Sequence, residues 1–167
     1  MRTGLFGSER CGSLVVQSTH DESVVHPTLT PLEATALEML LDGDDPVLET
    51  LRKQCGLAAI EHREFTGAGY VTRFQLRCAA SDLPRADGSF DISDVVAVLP
   101  GDADFLMFHI AVRNGCLDYF EAVTVGEEWP KENLDRAHLM YFDKKHPKGR
   151  AHRDLSIARE QWSGTSH

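Results

Sequence analysis

Cysteine is scarce in this chain, and its cysteines form no recognisable pattern. They stand at Cys11, Cys55, Cys78 and Cys116, so no two of them make a C-x-x-C pair. The spacing matches none of the common zinc motifs. Isolated cysteines within apolar patterns are typical of a reducing compartment, and we therefore expect a cytoplasmic protein.

The chain also lacks long apolar runs and the short signatures of known catalytic sites. No run approaches the length of a membrane-spanning helix, and the N-terminus lacks the basic-then-apolar pattern of a signal peptide. The motifs G-x-S-x-G, G-x-x-x-x-G-K-S/T, G-x-G-x-x-G and H-E-x-x-H are all absent. These absences favour a protein that acts by binding and carries out no reaction of its own.

Basic residues are outnumbered by acidic ones, and the excess is uneven along the chain. The sequence has 17 Lys and Arg against 26 Asp and Glu, a formal net charge of −9. Residues 28–130 carry 18 acidic and 7 basic residues, whereas residues 131–167 carry 5 acidic and 8 basic ones. An acidic body repels duplex DNA and anionic lipid, so we expect neither a nucleic acid duplex nor a membrane as partner. It favours a basic protein partner.

The patterning divides the chain into three parts. Residues 1–27 contain several Gly, Ser and Thr with little periodicity, and are predicted to form a loose leader. Residues 28–130 hold the periodic segments and are predicted to form a single α+β domain. Residues 131–167 are polar, basic and weakly patterned, and are predicted to form a C-terminal tail.

Two helix starts follow the leader in quick succession. Thr30 is an N-cap residue, with Pro31 at the first helical position and Glu33 completing a capping box. Asp45 and Pro46 repeat the cap and the proline for a second helix. Two short helices with a tight connection predict an αα-hairpin.

The periodicity then changes to that of strands. Residues 57–66, 70–78 and 92–99 predict three strands. Two more apolar runs flank Asn114-Gly115, the dipeptide that best fits a two-residue type I′ turn. Short links between consecutive strands favour an antiparallel arrangement. We therefore predict an α+β fold, with the N-terminal helical hairpin packed on a mainly antiparallel sheet of about five strands.

The Asn-Gly turn also predicts how the hairpin pairs. A two-residue loop pairs Arg113 with Cys116 and thereby places Glu121 opposite Phe108, on the apolar face. A carboxylate on a buried face needs an ion pair, hydrogen bonds or a raised pKa. Glu121 is therefore predicted either to hold a neighbouring Arg or to act as an acid or base in a pocket.

The candidate catalytic and metal residues lie on predicted strands. The same register makes His109 and Asp118 diagonal neighbours on the second face. A His oriented by an Asp is a general-base arrangement, although a surface ion pair uses the same two residues. His62 and Glu64 share a strand face and are candidate metal ligands, but no third ligand is evident. We predict no cofactor and no metal site.

Candidate binding residues lie on the second face of the hairpin and just beyond it. That face is mixed in character, so a tail, a helix or a second subunit would cover part of it. A homodimer through this outer sheet face is therefore one option. Trp129 is predicted to fold back onto the sheet, and it joins Phe120, Glu127 and Glu128 as candidate binding residues.

Three motifs resemble those of a family of small uncharacterised bacterial α+β proteins. They are Asn114-Gly115-x-Leu117-x-x-x-Glu121 followed by Gly126-Glu127-x-Trp129-Pro130, the helix opening Leu29-Thr30-Pro31-Leu32-Glu33, and the turn from Phe65 to Gly69. The resemblance covers about residues 28–130 and neither terminal segment. It implies no established activity.

An acidic body without catalytic motifs suits an inhibitor or immunity-type protein that blocks a basic partner. This is the function that we expect. The alternative is a hydrolase-like or metal-dependent enzyme that uses His109, Asp118 or Glu121. A bound metal in the purified protein would support the alternative.

Overall fold

The computed structural model describes residues 28–76, 84–101, 105–126 and 128–163. Within these ranges the chain forms three α-helices, one 3-10 turn and a seven-stranded sheet. The helices are α1 (Pro31–Leu40), α2 (Pro46–Leu57) and α3 (Leu155–Ser163), and the 3-10 turn spans Leu134–Arg136. The strands are β1 (Ala58–Phe65), β2 (Gly69–Leu76), β3 (Phe90–Val98), β4 (Phe105–Arg113), β5 (Cys116–Thr124), β6 (His138–Asp143) and β7 (His146–Arg150). The predicted leader lies outside the described residues.

Both N-terminal helices begin where their caps predict. Thr30 Oγ1 accepts a hydrogen bond from the amide of Glu33 at 3.3 Å, and Glu33 Oε2 accepts one from the amide of Thr30 at 2.7 Å. These two bonds form the predicted capping box. Asp45 Oδ1 accepts from the amides of Val47 and Leu48 at 2.7 and 3.3 Å. The caps satisfy amides that lack partners in a first helical turn.

The sheet is antiparallel throughout, with strand order β1-β2-β5-β4-β3-β6-β7. This confirms the predicted α+β class with an antiparallel sheet. The predicted number of about five strands is wrong, because β6 and β7 come from the segment assigned to a tail. The prediction of a helical hairpin also needs correction. The packing contacts of the two N-terminal helices are with the sheet, since α1 packs on β3 and β4 while α2 packs on β5. Each helix covers its apolar stripe mainly with the sheet.

The turn between β4 and β5 has the predicted form. Asn114 and Gly115 have φ angles of 51° and 76°, the left-handed values that a type I′ turn requires. Arg113 pairs with Cys116, as predicted from the two-residue loop. The start of the hairpin is therefore confirmed.

A β-bulge at Asp118 then shifts the rest of the hairpin by one residue. Glu121 pairs with His109, and not with Phe108 as predicted. A bulge places one extra residue in one strand, and here it turns Phe120 toward the core. The prediction that Glu121 lies on the buried face is therefore wrong, and its side chain is 30% exposed.

The core lies between the helices and one face of the sheet. Phe108 and Phe120 are fully buried there, with their rings stacked at a centroid distance of 6.1 Å. Leu40 of α1 and Leu51 of α2 are also fully buried in this cluster. Burial of large side chains is the main favourable contribution to folding, so this layer fixes how the helices lie on the sheet.

A buried glutamine ties α2 to the hairpin turn. Gln54 Nε2 donates to the carbonyls of Pro84 and Gly115 at 2.7 and 2.8 Å, and its Oε1 accepts from the amide of Leu117 at 2.6 Å. A buried amide side chain is tolerated when its donors and acceptor are used in this way. The turn is therefore held from the helix side as well as by its own strands.

The C-terminal segment packs on the same core. Arg153, whose side chain is 3% exposed, forms a two-point ion pair with Asp94 at 2.6 and 2.7 Å. It also donates to the carbonyl of Leu40 at 3.0 Å. Trp162 of α3 stacks on Phe90 at 6.3 Å. The predicted tail thus contributes two strands and a packed helix to the body.

Candidate functional site

All three helices pack on one face of the sheet, and we call the opposite face the open face. Helix α1 packs on β3 and β4, α2 on β5, and α3 on β3. The strand side chains that face them belong to the core, among them Ile92, Phe108 and Phe120. Because side chains alternate along a strand, the intervening residues point to the open face. No helix of the described ranges covers it.

The end of the open face nearest the β4–β5 turn is strongly polar, and we call it the ionic half. Strands β1 to β5 all contribute to it, through side chains that neighbour one another across the sheet. Its members are His62, Glu64, Arg73, Asp91, His109, Arg113, Asp118, Tyr119 and Glu121.

His109 lies at the centre of the ionic half, between two carboxylates. Its Nδ1 donates to Oε2 of Glu121 at 2.9 Å, and its Nε2 lies 3.8 Å from Oδ1 of Asp91. The predicted partner Asp118 is instead paired with Arg73 at 3.5 Å. The predicted His109–Asp118 pair is therefore wrong, because the bulge moves Glu121 into that place. Two of the candidate catalytic residues, His109 and Glu121, are in direct contact.

Arg113 and Tyr119 complete the network around Asp91. Arg113 Nη1 donates to Oδ1 of Asp91 at 2.7 Å and to the carbonyl of Phe90 at 3.2 Å. The hydrogen bond to Asp91 raises the pKa of the Arg113 guanidinium. Burial raises the pKa of the Tyr119 phenol, and the Asp91 carboxylate raises it further. Arg113 therefore stays charged and Tyr119 stays neutral at physiological pH.

The candidate metal ligands His62 and Glu64 lie together on the open face at its β1 edge. His62 pairs with Arg73 across the strands, and Glu64 pairs with Val71. The cross-strand neighbour of His62 is thus itself a cation, which disfavours a metal ion at this point. Among the residues that the structure describes, no group of three or more His, Cys, Asp or Glu side chains is placed to hold a metal.

The candidate binding residues are not brought together. The bulge turns Phe120 inward, and its side chain is fully buried in the core. Phe120 therefore takes no part in the open face. Trp129 folds back as predicted, and its ring meets the ring of Tyr70 edge-on at 5.6 Å on the helix side of the sheet. Glu128 is exposed, and Glu127 lies outside the described residues.

The other end of the open face is apolar, whereas the sequence predicted only that this face is mixed in character. This apolar half comprises Val96, Val98, Phe105, Met107, Val123, Val125, Met140 and Phe142. Val98 and Val125 are 37% and 53% exposed, and the rings of Phe105 and Phe142 lie 6.1 Å apart. The missed signal is the unbroken apolar run from Phe105 to Phe108. A strand with one solvent-exposed face normally alternates apolar and polar residues.

Comparison with known proteins adds no family assignment. No protein-family model, curated protein or solved structure matches this chain. The resemblance to small bacterial proteins therefore stays a prediction, as does the cytoplasmic location. None of the helices in the described ranges has the length and apolar character needed to span a membrane.

The geometry of the ionic half can serve binding or proton transfer. Glu121 orients His109 through Nδ1 at 2.9 Å, while Nε2 lies 3.8 Å from Oδ1 of Asp91, and a His oriented by a carboxylate is also a general-base arrangement. Two of the best-formed cavities lie elsewhere. A depression of about 590 Å³ is lined by residues 150–156, and a smaller one lies between α3 and β6. Neither of these two cavities is lined by residues of the ionic half.

Proposed function

We propose that the protein binds a basic protein partner through the ionic half, as an inhibitor or immunity-type protein would. The observation that supports this proposal most directly is a set of carboxylates on a sheet face that no described helix covers. They are those of Glu64, Asp91, Asp118 and Glu121. The guanidinium groups of Arg73 and Arg113 offset only part of this charge.

Charge complementarity distinguishes a basic protein from other partners. The whole chain carries 26 acidic against 17 basic residues, a formal net charge of −9, so its field attracts cations over a distance and raises association rates at low salt. Two copies docked through the ionic half would bring like charges together, which costs several kcal/mol at an interface. A basic partner is therefore favoured over the homodimer.

Reversing charge on the ionic half should weaken binding of a cationic probe more than the same reversal elsewhere. The probe is a labelled, arginine-rich synthetic peptide, and the readout is fluorescence anisotropy at about 0.01 M and about 0.15 M salt. We expect Glu64→Lys combined with Asp118→Lys to lower the affinity at low salt by about tenfold or more. Asp118 forms only a half-exposed ion pair, so the fold should tolerate the change.

The matched control is Glu38→Lys combined with Asp44→Lys. Both residues are exposed and lie on the helix side of the domain, and the double change alters the net charge equally. We expect it to change the affinity by no more than about threefold, since distant exposed charges are screened. Equal losses in the two double variants would mean that the peptide responds to net charge alone, and the proposed site would be abandoned.

The contact between His109 and Glu121 favours one second candidate, a hydrolase-like or metal-dependent enzyme. If a metal were held there or at His62, metal binding would stabilise the native state. We expect Zn²⁺ to change the melting temperature of the wild type, His109→Ala and His62→Ala by equal amounts. A Zn²⁺-dependent rise in the wild type that either variant abolishes would instead support the enzyme.

A further inference from the structure

We infer that the open face recognises a partner segment of two parts, in which an apolar cluster contacts the apolar half and a basic cluster contacts the ionic half. This inference rests on the proposed function and adds to it the chemistry of the recognised segment. Charge alone would attract many cationic proteins, whereas two adjoining surfaces of different character select a narrower class.

The apolar half has the composition of an interface. Aromatic and Met side chains are enriched where proteins bind each other, and Phe105, Met107 and Phe142 lie here. Val98 and Val125 remain substantially exposed beside them, although an exposed valine gains by burial against a partner. Val96 at the centre is only 3% exposed, because the surrounding side chains cover it. The apolar half is therefore a continuous layer that a partner could contact.

The strand geometry sets the distance between the two clusters. Along β4 the apolar half is centred between Phe105 and Met107, and the ionic half between His109 and Arg113. Residues in a strand rise about 3.4 Å each, so the two centres, five residues apart, lie roughly 17 Å from each other. A helix lying along the strands would span this distance with about eleven residues. The partner should therefore carry its apolar and basic clusters in separate turns.

Other occupants fit the same face less well. An anionic membrane or duplex nucleic acid would meet the carboxylates of the ionic half and be repelled. A second copy would offer apolar surface to the apolar half, but it would place the carboxylates of Glu121 and Asp91 near the carboxylates of the other copy, which repel them. A basic segment with an apolar end satisfies both halves at once.

The test uses two labelled synthetic helical peptides of about 18 residues with identical composition. In the first peptide, Leu and Phe residues form one end and Arg residues form the other. In the second peptide the same residues are interleaved. Both are titrated into the wild type and into Val98→Ser combined with Val125→Ser. The matched control is Leu57→Ser combined with Phe65→Ser, because Leu57 and Phe65 are 40% and 55% exposed away from the apolar half.

We expect the two-part peptide to bind the wild type about tenfold or more tightly than the interleaved peptide. The Val98/Val125 variant should lose this advantage, while its salt dependence stays that of the wild type. The Leu57/Phe65 variant should retain it. Equal affinity of both peptides for the wild type, or an undiminished advantage in the Val98/Val125 variant, would overturn the inference and leave the proposed function standing. If neither peptide bound at low salt, the proposed function would fail with it.

Discussion

Replacing Arg153 by Met should lower the free energy of unfolding by about 3–5 kcal/mol, because it leaves a buried carboxylate without its partner. Asp94 and Arg153 have side chains that are only 5% and 3% exposed. Arg153 also donates to the carbonyls of Leu40 and Asp42 at 3.0 and 2.7 Å. Chemical denaturation followed by circular dichroism measures the loss.

The control is Lys53→Met, which breaks the Lys53–Glu49 pair. That pair is close, at 2.7 Å, but about 60% of each side chain is exposed, so we expect a loss far smaller than that of Arg153→Met. If Arg153→Met unfolded at the same denaturant concentration as Lys53→Met, the C-terminal segment would not be packed on the body in solution. The polar tail expected from composition would then be the better description.

Replacing Gly115 by Ala should cost about 2–4 kcal/mol, from backbone strain and steric overlap together. Gly115 has a φ angle of +76°, where a side chain costs roughly 1–2 kcal/mol. A Cβ atom at Gly115 would also lie 2.1 Å from the carbonyl oxygen of Ala86. The amide of Ala86 donates to the carbonyl of Gly115 at 3.0 Å, so the neighbouring loop cannot move away without losing this bond.

Gly88 provides the control for the strain alone. Its φ angle of +77° nearly equals that of Gly115, but nothing lies within 4 Å of the position that a Cβ would take. We expect Gly88→Ala to cost only about 1 kcal/mol. Equal losses at Gly88 and Gly115 would mean that the 84–88 loop does not lie against the hairpin turn.

Local signals in the sequence were sufficient to predict where the two N-terminal helices begin and where the hairpin turn lies. Thr30 with Glu33, and Asp45 with Pro46, placed both helix starts, because caps act within one turn of the chain. Asn114-Gly115 placed the hairpin turn for the same reason. These elements depend on neighbouring residues and hardly at all on tertiary contacts.

The sequence did not reveal features that depend on distant contacts. The bulge at Asp118 leaves no local signature, yet it decides that Glu121 meets His109. The C-terminal segment reads as a polar tail because groups that hold it in place lie far along the chain: Tyr141 of β6 donates to the carbonyl of Met39, and Arg153, which follows β7, pairs with Asp94. The ionic half was therefore only partly predicted: its residues were named, but their pairing was wrong.

The proposed binding site can be located directly by nuclear magnetic resonance. The ¹⁵N-labelled protein would be titrated at low salt with the peptide that has separate apolar and basic ends, and the amide shifts would be mapped on the sheet. We predict that the largest saturable shifts lie in β4 and β5, over residues 105–113 and 116–124, and extend into β2 and β3. Shifts concentrated in α1 and α2, or shifts that do not saturate, would contradict the assignment of the open face as the binding surface.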